Sequence, residues 1–88
     1  MILEQNYPNP FSASGASTQI SFDLLQAARV TMKVYTVNGV EVETLAAGPY
    51  PAGRHTVAFT PKNLPSGNYF YVLQAGAARR IRWLTLLK

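Results

Sequence analysis

The stretch Thr18–Leu24 reads TQISFDL, and it decides the fold class. Apolar residues occupy every second position in it, and polar residues fill the positions between them. Because successive side chains of a β-strand point to opposite faces, this period of two predicts a strand with one face in a core. We expect Ile20, Phe22 and Leu24 to point inward.

Segments of the same kind recur along the chain. The predicted strands are residues 18–24, 29–35, 40–44, 55–59, 69–75 and 79–87, with a seventh short strand in residues 2–7 or 46–50. In the second and third strands we expect the inward side chains to be Val30, Met32, Val34, Val40, Val42 and Thr44. Strands at this spacing indicate an all-β sandwich or barrel. Residues 24–30 contain good helix formers but are too few for a stable helix, so we interpret them as a connecting turn.

Turn-forming residues separate these segments. Asn38 and Gly39 predict a tight hairpin because both residues tolerate positive φ. Pro8, Asn9 and Pro10 predict an extended entry, since proline cannot donate to a sheet ladder. Further turns are predicted at Ser14-Gly15, Gly48-Pro49, Ala52-Gly53, Pro65-Ser66-Gly67 and Ala75-Gly76.

The composition is that of a small globular protein, with 48% hydrophobic and only 14% charged residues. We expect residues 1–88 to form a single domain, with residues 1–11 as its extended entry segment. The absence of cysteine excludes disulfides and thiolate sites. No apolar run reaches the roughly 18 residues that a membrane span needs. The first eight residues lack the features of a signal peptide, so we expect one elsewhere in the parent protein.

Basic residues outnumber acidic ones, and the net charge is +4. Arg79, Arg80 and Arg82 form a cluster that could meet phosphates or an anionic membrane surface. The alternative interpretation is an edge strand protected by charge. We expect no nucleic-acid partner.

The chain offers few residues for catalysis, and we expect no enzyme activity, no metal and no cofactor. His55 is the single histidine and lies on a predicted strand. Glu41 and Glu43 would stand about 7 Å apart. That spacing suits inverting glycosidases, but the two residues alternate with valines and mark a solvent face. No Gly-x-Ser-x-Gly elbow or phosphate-binding glycine loop is present.

The aromatic residues leave a second function open. Tyr50, Tyr69, Tyr71 and Trp83 are candidates for an exposed platform that binds sugars, although most of them are expected in the core or at a corner. The alternative is therefore an accessory structural or carbohydrate-binding module of a multidomain secreted enzyme. Residues 69–75 and 79–87 carry apolar side chains on both faces, which indicates a partner surface on the last hairpin.

Several motifs stand in the order found in one known family. Residues 3–11 read LEQNYPNPF, and Thr18-Gln19-Ile20-Ser21-Phe22 follows. Later blocks include Met32, Val34, Tyr35, Gly39 and Val42, then Ala52-Gly53-Arg54-His55, then Leu64-Pro65-Ser66-Gly67-Asn68-Tyr69, and finally Leu86-Leu87-Lys88. Together they resemble the C-terminal sorting domain of type IX secretion in Bacteroidetes-type exported proteins, which is related to immunoglobulin-like modules of flagellar hook-capping proteins. Thr36 departs from the family's usual Asp, which predicts a weaker turn contact, and Phe59-Thr60-Pro61 replaces a more usual Trp-Asp.

The resemblance implies an immunoglobulin-like antiparallel β-sandwich of about seven strands. It implies a sorting signal that follows an N-terminal cargo domain and that directs the cargo through the periplasm and outer membrane to the cell surface or medium. The expected partners are the type IX machinery and the surface protease that removes the domain, and the edge strands leave room for a weak dimer. We hypothesise that the machinery recognises Leu64, Ser66, Gly67, Tyr69, Arg79, Arg80, Arg82 and Lys88.

Overall fold

A computed structural model describes residues 1–12 and 17–87. Eight strands lie in this part of the chain: β1 (Ile2–Leu3), β2 (Phe11–Ser12), β3 (Thr18–Leu24), β4 (Ala28–Thr36), β5 (Glu41–Tyr50), β6 (Gly53–Phe59), β7 (Gly67–Ala75) and β8 (Ala78–Leu87). The described residues include no helix capable of spanning a bilayer. The turn predicted at Ser14 and Gly15 falls outside the described residues.

The strands form two sheets, which confirms the predicted all-β sandwich. The smaller sheet has the order β1-β3-β6, and the larger has the order β2-β8-β7-β4-β5. Neighbouring strands are antiparallel except for β2 and β8, which are parallel. The predicted antiparallel sandwich of about seven strands is confirmed, and the described residues form eight strands with one parallel pair. The short strand predicted in residues 2–7 is β1, and the additional strand is β2, whose two residues carry too little pattern to be predicted.

The core lies between the sheets and takes alternate residues from each strand. The inward positions predicted for β3 and β4 are confirmed, since all of them are buried. The core is completed by these side chains: Leu3, Phe11, Ala46, Phe59, Tyr69, Tyr71, Leu73, Leu84 and Leu86. Residues 25–27 connect β3 to β4 without a helix, as predicted.

The alternation predicted for β5 is wrong. Val40 is 61% exposed, and Thr44 is exposed as well. The pairing with β4 shifts register twice, so that Val42 and Leu45 become extra residues without a cross-strand partner. Such β-bulges break the period of two, and both extra side chains pack against the core beside buried Ala46. β5 also continues to Tyr50, so neither a separate strand over 46–50 nor a turn at 48–49 is formed.

The hairpin predicted between β4 and β5 is confirmed, with a different turn. The N–H of Gly39 donates to the carbonyl of Thr36 at 2.9 Å, and the N–H of Thr36 donates to the carbonyl of Val40 at 2.9 Å. Gly39 has φ +83°, whereas Asn38 is not among the residues with positive φ. This is the three-residue loop in which glycine closes a bulge. The Thr36 hydroxyl accepts the Val40 N–H at 3.2 Å, so the turn contact is made despite the missing aspartate.

The entry segment contributes strands to both sheets. β1 pairs with β3, Tyr7 bridges to Gln19, and β2 pairs with β8. The amide of buried Asn6 donates to the Thr18 hydroxyl at 3.0 Å, and that hydroxyl donates to the Pro8 carbonyl at 2.8 Å. The segment therefore crosses from one sheet to the other and closes one side of the sandwich.

Candidate functional site

The turn before β7 is built around a tyrosine corner. The Tyr69 hydroxyl donates to the Pro65 carbonyl at 2.7 Å, and its ring is buried. A tyrosine at the start of a strand that bonds back across the corner is a recurring device of β-sandwiches. Burial raises the pKa of this phenol. Leu64 packs partly against the core, whereas Ser66 and Gly67 are exposed.

The arginine cluster lies at the other end of the same hairpin. Arg79 pairs with Gln74, whereas Gly67 pairs with Leu86. Seven residues along β7 separate Gly67 from Gln74, which corresponds to about 23 Å at the rise of a strand. The structure therefore does not bring the predicted turn and the predicted arginines together, and Lys88 lies outside the described residues.

The arginines differ in their contacts. Arg82 donates from Nε to the Leu3 carbonyl at 3.0 Å, and Arg80 donates to the neighbouring Arg79 carbonyl at 2.9 Å. All three arginines are exposed. Arg82 therefore fastens the entry segment, while Arg79 and Arg80 keep their charges in solvent.

The entry segment lies along β8 through further contacts. The amide of Gln5 donates to the Trp83 carbonyl at 2.6 Å, and the Asn9 side chain accepts the Thr85 N–H at 2.9 Å. The Tyr71 hydroxyl donates to the Glu4 carbonyl at 2.8 Å from inside the sandwich. Burial raises the pKa of Tyr71 to about 12. The first and last strands are thus held as one unit.

The outer face of the larger sheet carries a ladder of aromatic rings. Tyr35, Phe70 and Trp83 are cross-strand neighbours on β4, β7 and β8. The first two rings are stacked with centroids 5.2 Å apart, and the second and third are 5.2 Å apart and tilted. Val72 and Ile81 form the next cross-strand pair on this face. We call these five residues the aromatic face.

None of the five members of the aromatic face was among the predicted recognition residues, and Trp83 was considered only as part of a sugar platform. A strand shows which residues share its own face, but only the register between strands places three rings in one row. The available signal was the two-faced apolar pattern of β7 and β8. Ile81 and Trp83 are about half exposed, at 50% and 53%, so the partner surface expected on this hairpin is present as an accessible patch.

The outer face of the smaller sheet is mainly polar. Its polar residues are Gln19, Ser21, Asp23, Arg54 and Thr56, and we call these the polar face; exposed Ile2 and Ala58 lie on the same side of the sheet. The Ser21 and Thr56 hydroxyls lie 2.9 Å apart. Arg54 contacts the Glu4 carboxylate at 2.7 Å and Asp23 at 3.4 Å. These contacts lower the pKa of Glu4 and raise that of Arg54.

The candidate catalytic residues stand apart from one another. His55 places Nε2 2.7 Å from the Pro51 carbonyl and packs its ring against Phe22 and Tyr50. Glu41 pairs with Lys33 at 3.3 Å, on the exposed edge strand. Across residues 1–12 and 17–87, no group of three acidic, histidine or cysteine side chains is placed to hold a metal ion.

Two depressions in the surface do not bring these candidate catalytic residues together. An open depression of about 480 Å³ is lined by Arg29, Thr31 and Gln74 among others, without an acid or histidine. Another of about 360 Å³ is lined by Glu43, Thr60 and Lys62, and His55 is not among its lining residues.

The proposed sugar platform is not assembled. Tyr69 and Tyr71 are buried, at the corner and in the core as expected. Tyr50 packs edge-on against Phe22. Among the four candidates Trp83 alone is exposed. On the aromatic face, the rings of Tyr35 and Phe70 are stacked on each other. Each ring therefore covers one face of the other, and a sugar binds to an open ring face.

These features define an all-β sandwich module whose surfaces, rather than a cavity, are available for function. The family model of the secretion system C-terminal sorting domain matches residues 5–85, and the chain belongs to that family. The family is not catalytic, and it serves as a sorting signal for type IX secretion. The chain is thus a signal for export across the outer membrane to the cell surface or beyond. No curated protein matches the sequence.

Proposed function

We propose that the type IX machinery reads this chain as a folded domain, formed by residues 1–88, and exports the cargo attached to its N-terminal side. One observation carries this proposal: side chains of the family motifs make hydrogen bonds that stabilise the fold. Asn6 bonds to Thr18, Asn9 caps the Thr85 N–H and Tyr69 closes a corner. Side chains that make these hydrogen bonds stabilise the sandwich. A protein that recognises the signal therefore contacts the surface that these bonds hold in place.

Export of a reporter tests this proposal. A fluorescent protein with a signal peptide would be fused to the N-terminal side of the chain, in a bacterium with type IX secretion and in a mutant that lacks the machinery. We expect fluorescence at the surface or in the medium with the fusion and the intact machinery together. The reporter without the chain should stay in the periplasm. Equal export in the mutant host would contradict the proposal.

A folded signal also predicts which damage stops export. Substitution of Phe22 by Ala removes a fully buried ring beside Tyr50 and His55. We expect this variant to lose most of its stability and its export, although the motif residues Asn6, Asn9 and Tyr69 are intact. Normal export of a demonstrably unfolded variant would show that the machinery reads a linear peptide. Deletion of β8 is a poorer test because it removes Leu84 and Leu86 from the core.

The turn before β7 and the basic residues of β8 remain our predicted recognition elements. Their accessible parts are Ser66 and Gly67 at one end of the hairpin and Arg79 and Arg80 at the other. Leu64 and Tyr69 act through folding in this proposal, while Arg82 holds the entry segment. Ser66→Ala and the pair Arg79→Gln with Arg80→Gln should lower export without lowering the melting temperature. Unchanged export in both variants would remove these elements from the signal.

Removal of the domain at the cell surface is the remaining part of the proposal. A surface protease would cut on the N-terminal side of the chain and release the cargo. Mass spectrometry of the exported reporter should then show a product that lacks residues 1–88. A reporter that retains the whole chain after export would contradict this step. A weak dimer through the edge strands stays a prediction, which analytical ultracentrifugation of the chain would test.

A further inference from the structure

We propose that the aromatic face is the docking surface for a protein of the export machinery, one whose apolar contact surface is bordered by carboxylates. This inference rests on the proposed function and names the part of the domain that the machinery contacts. It adds Tyr35, Phe70, Val72, Ile81 and Trp83, which lie outside the turn and arginine elements.

The exposed part of this face is apolar and continuous. Ile81 and Trp83 are cross-strand partners of Val72 and Phe70, so two rows of apolar side chains stand next to each other. A sandwich needs only its inner faces apolar, and a solvent-facing strand position normally carries a polar residue. Contiguous apolar side chains on an outer face are typical of a surface that a partner covers. Aromatic residues are also enriched where protein partners make their strongest contacts.

The charges around this face indicate which charge a complementary partner surface carries. Arg29, Lys33 and Arg79 occupy the positions of β4 and β8 that alternate with the buried residues, and therefore lie on the same side of the sheet. Glu41 is the acidic neighbour, and it is paired with Lys33. Among the described residues, neither Arg29 nor Arg79 takes part in an ion pair. A protein surface that carries acidic groups beside its apolar strip would complement this arrangement.

Two other occupants fit less well. A second copy of the chain would bring the same cations against each other, which is unfavourable. A lipid surface attracts cations as well, but it takes up side chains that protrude. Tyr35 and Phe70 are half-buried in the ladder and Val72 is 6% exposed, which leaves Ile81 and Trp83 as the side chains of this face that could insert into lipid. The two adjoining rows of apolar side chains suit the contact surface of a protein partner.

Paired substitutions on the two outer faces test the inference. Ile81→Thr with Trp83→Thr removes exposed apolar area while keeping residues that favour strands. The matched control, Gln19→Thr with Ala58→Thr, changes an exposed cross-strand pair on the smaller sheet. With melting temperatures measured on the purified chains, we expect reporter export to fall about tenfold or more for the first pair and to stay unchanged for the control.

A second variant keeps the test decisive if the first pair fails to fold. Arg29→Glu reverses one exposed charge beside the aromatic face without touching the core, and Lys62→Glu in the loop after β6 is its matched control. We expect Arg29→Glu to lower export severalfold, while the control leaves export unchanged. Wild-type-like export of a folded aromatic-face variant would overturn the inference alone. Absence of export for the unaltered fusion would overturn the proposed function and this inference with it.

Binding to vesicles separates the lipid occupant from the protein occupant. The purified chain would be mixed with vesicles of phosphatidylcholine and phosphatidylglycerol and sedimented. We expect the chain to stay in the supernatant, with no difference between wild type and the Ile81→Thr, Trp83→Thr variant. Sedimentation that this variant abolishes would overturn the assignment of a protein partner.

Discussion

The two outer faces of the sandwich come from strands with the same period of two, yet they have opposite characters. On the polar face, the Ser21 and Thr56 hydroxyls bond to each other, and Arg54 forms ion pairs with Glu4 and Asp23. These polar groups are therefore bonded to one another within the face. On the aromatic face, three rings line up across three strands, and Arg29 and Arg79 have no acidic partner within the described part of the chain. The aromatic face has exposed apolar area and positive charge that a binding partner can contact.

This difference separates what the fold requires of an outer face from what binding requires of it. Both faces cover an equally buried core, so the fold does not require rings on one side. The polar face shows that this chain can cover a sheet with hydroxyls and a neutralised ion pair. The cost of exposed apolar area on the other face is then explained by binding.

The largest effect is expected beneath the polar face. Phe22→Ala should lower the free energy of unfolding by about 3–5 kcal/mol, because it empties a fully buried site. Gln19→Thr on the surface above it should change stability by less than about 0.5 kcal/mol. Urea denaturation of both variants measures the contrast. A comparable loss from Gln19→Thr would show that the polar face contributes more than a cover.

Interruption of the aromatic ladder should have the next largest effect on stability. Phe70→Ala removes the middle ring, which contacts both Tyr35 and Trp83. We expect a loss of about 1–2 kcal/mol from the ring contacts and the half-buried surface. Thr56→Ala, the control on the polar face, breaks an exposed hydroxyl pair and should cost little. Equal losses by urea denaturation would remove the energetic contrast between the faces.

The contact between Tyr71 and the entry segment predicts a dependence on alkaline pH. Burial raises the pKa of Tyr71 to about 12 in the folded chain, from an ordinary value of 10.0. The folded state therefore holds this proton more tightly, and the stabilisation is complete below pH 10 and is lost as the pH rises towards 12. Tyr71→Phe should cost about 1 kcal/mol at neutral pH through the lost bond to Glu4.

Denaturation across pH 8–12 measures this effect. The difference in free energy of unfolding between wild type and Tyr71→Phe should shrink above pH 10. Both proteins should also lose some stability there, because burial raises the pKa of Tyr69 as well. A difference that stays constant through this range would show that Tyr71 does not ionise with the expected coupling.

The smallest effect is expected from the ion pair of the polar face. The bond from Arg54 lowers the pKa of Glu4, so its stabilisation is present above the ordinary pKa of about 4.5 and is lost as the pH falls below it. Glu4→Gln should melt slightly below wild type at pH 7, because exposed ion pairs contribute little. The two proteins should melt alike in acid, and a gap that persists there would assign the effect to packing.

The strands whose two faces differ were predictable from the sequence, and the parts governed by pairing were not. Ile20, Val34 and Leu84 show their burial in the alternation of their own strands. The bulges at Val42 and Leu45 depend on how β5 meets β4, and no local pattern reveals them. Strand β1 lies in one of the two places where a seventh strand was predicted, whereas the two residues of β2 cannot show a period.

The same limit explains what could be predicted of the candidate site. The two-faced pattern of β7 and β8 indicated a partner surface on the last hairpin, and Trp83 is exposed there. Tyr35 lies on another strand, and only the register places it beside Phe70. Conversely, Tyr69 looked like a recognition residue in its motif, but its hydroxyl is committed to the Pro65 carbonyl.

Competition for export tests the central claim most directly. The chain, with a signal peptide and without cargo, would be expressed in excess beside the reporter fusion, as wild type, as Ile81→Thr with Trp83→Thr, or as the Gln19→Thr, Ala58→Thr control. A partner that binds the aromatic face would be occupied by the wild-type and control chains, so both should reduce reporter export, whereas the aromatic-face variant should not. Equal inhibition by all three folded chains would contradict the claim that the machinery docks on this face.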